Sequence, residues 1–273
     1  MIVKNNWIYS NIKDRMIDQT IDLKVYFNPQ KFSELCFYDS SKNVAVELAN
    51  KYDNIYLALS GGLDSEFVLV LFKENKIPIK PIIVEYNDNS LESSYAIHMC
   101  KKLNISPIII NCPDDLYINI FKKELCDKFN IYGFRNIPIL LCLKFIEKNN
   151  YNNSVLLTGH DVIDDNFTTV ASKASFVDWD FCYYYLSKIH CINFFHYTPE
   201  IVYSVIKSFD NITDTQEFKA NLYNLDYRPK IKPILSQNMQ DYCNKIISNK
   251  YHPNKYVVFD KEELLTIMNS WNM

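Results

Sequence analysis

Glycine is almost missing from this sequence. Only Gly61, Gly62, Gly133 and Gly159 occur among 273 residues. Their spacing excludes the G-x-G-x-x-G dinucleotide fingerprint, and the absence of a lysine after the paired glycines excludes a G-x-x-x-x-G-K-[ST] loop. Long apolar runs are missing too: no stretch of about 18 uncharged apolar residues occurs, so no membrane-spanning helix is expected. The opening stretch MIVKNNWIYSNIKDR shows no secretory pattern, and a cytoplasmic protein without membrane contact is expected. Cysteine is present but never as C-x-x-C. Cys36, Cys100, Cys112, Cys126, Cys142, Cys182, Cys191 and Cys243 are scattered through apolar segments, which argues against a cysteine zinc site and predicts free, buried thiols. An excess of positive charge is absent as well. With 29 Lys and Arg against 32 Asp and Glu, the net charge is -3, which argues against a nucleic-acid partner; Tyr227 to Pro233, YRPKIKP, is the densest basic stretch.

What is present is the pattern of a globular chain, 48% apolar and 22% charged. Residues 1–40 carry no clean period and read as an arm or cap. From Ser40 a serine-capped helix is expected. Apolar runs at 55–60, 81–86, 106–112 and 154–161 then alternate with helical patterns at 67–75, 90–104, 115–130 and 137–150. Strands that are apolar throughout, rather than alternating, are buried on both faces. An α/β fold with a doubly wound parallel sheet over 41–172 follows, with 173–273 as a mostly α C-terminal appendage. Within that appendage Thr198-Pro199-Glu200 reads as a helix start, and further helices are expected near 214–225, 237–249 and 260–271. His160, His190 and His196 are not spaced as metal ligands and read as satisfied structural histidines.

Two of the four glycines sit together in YLALSGGLDSEFVLVLF, where an apolar strand turns at once into a buried helix. Glycines there free the backbone N–H groups to face outward, and the helix N-terminus adds positive potential, so Ser60, Gly61, Gly62, Leu63 and Ser65 form an anion cradle. Asp64 is a carboxylate inside that cradle. It would repel a phosphate unless a cation lay between them, which points to Mg²⁺ bound by Asp64 and a polyphosphate.

The stretch SGGLDS, Ser60 to Ser65, resembles the pyrophosphate loop of the N-type ATP pyrophosphatases, the superfamily with the fold of the adenine nucleotide alpha hydrolases. The resemblance covers about residues 52–172. It implies an enzyme that cuts ATP to AMP and pyrophosphate and adenylates a carboxylate or carbonyl oxygen for attack by a nucleophile. It also implies ATP and Mg²⁺ as cofactors. It places Val84, Glu85 and Tyr86 near adenosine, and Gly159 and His160 across the crevice from the loop. LLTGHDVIDDNF, Leu156 to Phe167, resembles the TGH-x-x-DD segment of the tRNA-lysidine synthetases with one residue too many, which leaves Asp161, Asp164 and Asp165 open as the second metal carboxylate. Arg228 and Lys230 would stabilise departing pyrophosphate.

Glu66 and FFHYTPEIVYS look like small, phage-type asparagine synthetase-like proteins, so an asparagine synthetase-like ligase acting on a small molecule with a nitrogen nucleophile is expected. Ile2, where a glutamine-dependent asparagine synthetase carries its cysteine, leaves free ammonia, an amine or a partner glutaminase as the nitrogen source. A homodimer fits this reading. The alternatives are a tRNA- or nucleobase-modifying enzyme of the lysidine synthetase kind and a non-catalytic ATP-binding assembly subunit.

Overall fold

The computed structural model describes residues 7–11, 21, 24–86, 90–120, 122–123, 137–149, 152–159, 170–172, 189–208, 214–229, 241, 258–259 and 261–272. Two short strands, β1 (Ile8–Ser10) and β2 (Val25–Phe27), pair antiparallel with Ile8 opposite Phe27. Helix α1 (Phe37–Lys51) leads into β3 (Asn54–Ala58), α2 (Leu63–Glu74), β4 (Lys80–Glu85), α3 (Ser90–Lys102) and β5 (Ile108–Asn111). Then come α4 (Asp114–Ile120), α5 (Ile137–Lys148), β6 (Ser154–Thr158), β7 (Val170–Ser172) and β8 (His190–Asn193). A 3-10 turn (Phe194–His196), α6 (Pro199–Lys207), α7 (Thr215–Tyr223), β9 (Val258–Phe259) and α8 (Lys261–Asn269) complete the chain. β7 and β9 form a separate antiparallel pair.

The central sheet has the order β5-β4-β3-β6-β8, and every pairing in it is parallel. The chain runs outward from β3 through β4 to β5, then returns to lay β6 on the other side of β3. This is the doubly wound arrangement that the apolar strands imply, and its order reverses between β3 and β6, where ligands of such sheets are bound. Side chains along each strand divide by parity between two cores. Ile55, Leu57, Ile83, Val155, Leu157 and Ile192 join α1, α2, α3 and α6 on one face. Tyr56, Ile82, Val84, Leu156 and Cys191 join α4 and α5 on the other.

Four local features differ from the sequence reading. β8 is a fifth strand that no clear alternation marks. Helix α1 starts at Phe37, earlier than Ser40, because the Cys36 thiol accepts from the Asp39 N–H at 3.5 Å and donates to its carboxylate at 3.1 Å. Cys36 is accordingly exposed, whereas Cys100, Cys112, Cys142 and Cys191 are free and buried as expected. Helix α6 does open on Pro199 at its first position, although the Thr198 side chain makes no capping bond.

Trp7 is fully buried, with its indole N–H donating to the His196 carbonyl at 3.2 Å and its ring 6.1 Å from that of Trp271. The N-terminal segment is thereby tied to the C-terminal helix region. His196 is itself buried, its Nδ1 2.8 Å from the Asn193 amide. Among the described residues no helix is long and apolar enough to cross a membrane. Of the helix expected at 237–249 only Asp241 is among the described residues, and it is helical.

Candidate functional site

The switch point is built by the chain leaving β3. Leu59 still donates to the Ile82 carbonyl at 2.9 Å, and Ser60 then enters the loop. Gly61 has φ +87°, and a Cβ built on it would stand 2.3 Å from the carbonyl oxygen of Glu92 in α3. The loop backbone therefore rests directly on the first turn of α3, and only glycine allows both the dihedral and the contact. Gly62 is the N-cap of α2, in extended geometry and with no side chain to occupy the first-turn amides.

The two serines act chiefly on the loop itself. Gly62 N–H donates to Ser60 Oγ at 3.3 Å, Ser65 Oγ donates to the Gly62 carbonyl at 3.1 Å, and the two hydroxyls lie 3.2 Å apart. Leu63 is buried in the core and offers only its backbone. From the neighbouring strand, Gly159 closes in: a Cβ there would lie 3.0 Å from Ser65 N and 3.1 Å from the Asp64 carbonyl carbon. Gly159 thus packs against the loop from the end of β6.

Asp64, in the first turn of α2, is held by α7. Lys219 Nζ donates to Asp64 Oδ2 at 2.9 Å, and the Tyr223 hydroxyl donates to Oδ1 at 2.6 Å. The Lys219 and Asp64 side chains are only 5% and 14% exposed, so this is a largely desolvated ion pair. Four residues apart, Lys219 and Tyr223 share one face of α7. The helix is capped by Asp214, which accepts from the Gln216 and Glu217 amides, and it ends at Asn224 with φ 54°. Tyr223 is clamped by aromatic rings, 4.7 Å from Phe67, 5.5 Å from Phe37 and 5.6 Å from Phe195 between centroids. Neither Lys219 nor Tyr223 stands out in the sequence; a lysine four residues before a tyrosine in TQEFKANLY was the only signal.

Beyond Asn224 the chain turns back and brings Arg228 onto Glu66. The guanidinium donates to the Glu66 carboxylate and lies 5.3 Å from the centre of the Tyr95 ring. Burial holds the Glu66 carboxyl above its ordinary range, against the opposing pull of Arg228 and then Lys102. Arg228 thus stands one residue beyond the loop, paired with a carboxylate.

Glu85 and Tyr86 line a cleft of about 400 Å³ at the ends of β4 and β5, together with Ser90, Ser93, Asn111 and Cys112. That volume suits a small organic ligand. Val84 points away from it into the α4–α5 core. His160, Asp161, Asp164, Asp165 and Lys230 lie outside the described residues.

The glycine turn, the α2 N-terminus and a lysine ammonium together can receive an anion. Magnesium fits less well at Asp64 itself. Both Asp64 oxygens are engaged by α7, and an ammonium is already 2.9 Å from one of them.

No protein-family model and no curated protein matches the chain. Solved structures do. The NMN synthetase of Francisella tularensis is 14% identical, with 89% of this chain and 94% of that one covered at a TM-score of 0.42. The U34-tRNA thiolase NcsA of Methanococcus maripaludis, with its [4Fe-4S] cluster, is 14% identical over 86% and 79% at 0.42. The NH3-dependent NAD synthetase of Campylobacter jejuni is 14% identical over 87% and 93% at 0.39. Likenesses of this size say nothing of this chain's chemistry, and its fold class rests on its own strand order.

Proposed function

We propose that the protein binds ATP with the polyphosphate on the Gly61–Ser65 loop and acts as an AMP- and pyrophosphate-forming ligase of the asparagine synthetase-like type. The observation that carries this reading is the loop itself: a glycine turn forced by α3 and backed by Gly159, opening α2 at the point where the sheet order reverses. Adenosine would lie toward Glu85 and Tyr86, whose cleft is of suitable size. ATP would be cut between its α- and β-phosphates, with AMP passing to a small carboxylate or carbonyl oxygen. A nitrogen nucleophile, from ammonia, an amine or a partner glutaminase, would then displace AMP. Arg228, paired with Glu66 beside the loop, would exchange that carboxylate for the departing pyrophosphate.

The test is mass spectrometry of purified protein with ATP and a small-molecule extract, seeking AMP, pyrophosphate and an adenylated intermediate, with Asp64→Asn as control. A second reading, a nucleotide-binding subunit without turnover, is favoured by one observation, the engagement of both Asp64 oxygens by α7. ATP binding with neither AMP nor pyrophosphate formed would decide for it.

A further inference from the structure

We infer that Lys219 is the resident cation of the phosphate loop, taking at Asp64 the place that a divalent metal would otherwise fill, so that a polyphosphate binds the loop without metal. The inference rests on the reading that the loop receives a polyphosphate. A carboxylate inside an anion site must be neutralised, and two devices do so: a divalent ion bridging carboxylate and phosphate, or a protein cation at the same place. This chain has the second. Lys219 Nζ lies 2.9 Å from Asp64 Oδ2, and the Tyr223 hydroxyl takes the other oxygen at 2.6 Å.

The arrangement is built in rather than incidental. Tyr223 cannot leave Asp64 without breaking its stack with Phe37, Phe67 and Phe195, and it holds the α7 face from which Lys219 projects. Lys219 is 95% shielded from solvent as a side chain, so its charge is held largely out of water against Asp64. A divalent ion approaching Asp64 would meet an ammonium at hydrogen-bond distance and be repelled. A phosphate meets the opposite situation: Asp64 is already neutralised by Lys219, so the positive end of α2 is left to attract it.

The experiment is calorimetric titration with inorganic pyrophosphate and with ATP, in EDTA and in excess Mg²⁺, on the wild type, Lys219→Met and Lys219→Arg. Wild-type dissociation constants should agree within about threefold with and without metal. Lys219→Met should weaken binding about tenfold or more in EDTA, because Asp64 is then left charged beside the phosphate, and Lys219→Arg should restore most of it. In Mg²⁺ the Met variant should recover, because Asp64 is then free to take the ion. If Lys219→Met does not fold, the paired Asp64→Asn/Lys219→Met variant, which removes carboxylate and ammonium together, should bind in EDTA within about threefold of the wild type and gain nothing from Mg²⁺; a paired variant that binds only with Mg²⁺ overturns the inference. Wild-type binding that requires Mg²⁺, or a Met variant that binds as well as wild type in EDTA, overturns the inference while leaving the loop as a phosphate site. Failure of pyrophosphate and ATP to bind under either condition overturns the reading of the loop itself.

Discussion

Replacing Gly61 with alanine tests the geometry on which the site depends, and its neighbour supplies the control. An alanine at φ +87° carries a backbone cost of about 1–2 kcal/mol, and its Cβ would overlap the Glu92 carbonyl at 2.3 Å, well inside contact distance. Because that oxygen belongs to the α3 backbone rather than to a flexible side chain, the helix must shift by about 1 Å or the loop must refold, each adding about 1–3 kcal/mol of lost packing. A total of about 2–5 kcal/mol corresponds to a fall of roughly 4–20 °C in the unfolding midpoint of a chain this size. Gly62 is different. Its φ is -81°, and a Cβ there would meet only Ser60 Oγ at 3.5 Å, so Gly62→Ala should cost no more than about 1 kcal/mol. Gly159→Ala, with backbone atoms at 3.0 and 3.1 Å, should fall between the two. Thermal unfolding followed by circular dichroism, with urea titration to confirm an unchanged slope, measures all three. The reasoning fails if Gly61→Ala is as stable as Gly62→Ala.

Two further outcomes can be measured on the same preparations. Tyr223→Phe keeps the aromatic stack and removes only the hydroxyl donated to Asp64 at 2.6 Å, so urea unfolding should report a loss of about 1–3 kcal/mol; an unchanged midpoint would show that the bond contributes nothing. Burial pushes the Cys142 thiol up to about 12 and the Cys100 and Cys112 thiols up to about 11, with the charge of Asp114 adding to the effect at Cys112. Since unfolded thiols ionise near pH 8.5, roughly, the unfolded chain releases these protons first. The stability these groups contribute is complete below that pH and drains away as pH rises toward 11, which urea midpoints at pH 7, 9 and 10 would register as a steady decline; a flat profile would refute it.

Much of the sheet was legible because its determinants are local. Strands β3, β4 and β6 are short apolar runs between helical patterns, and strands buried on both faces leave that mark in composition alone; β5 is as apolar, yet it lies at the sheet edge with Ile109 45% exposed. β8 was not legible: His190–Asn193 is four residues set among aromatics, and only pairing of Leu157 with Ile192 and its neighbours against β6 reveals it as a strand. The start of α1 was misplaced because a cysteine, rather than a serine, supplies the cap. At the site, the glycine pair and Asp64 could be read as an anion cradle with an acid in it. What neutralises that acid could not, since Lys219 lies 155 residues away and is brought to Asp64 by a helix whose own pattern marks it only as partly buried.

The sequence by itself determined the class of fold and the location of the loop, because apolar strands, helical periods and a glycine pair act through neighbours along the chain. It could also show that an acid in a phosphate cradle needs a positive partner. Only the tertiary structure decided which partner stands there: folding packs Tyr223 into the Phe37, Phe67 and Phe195 rings and thereby sets the ammonium of Lys219 on Asp64. Charge balance in a buried site is fixed by whatever groups converge in space, and convergence across the chain leaves no local pattern to read.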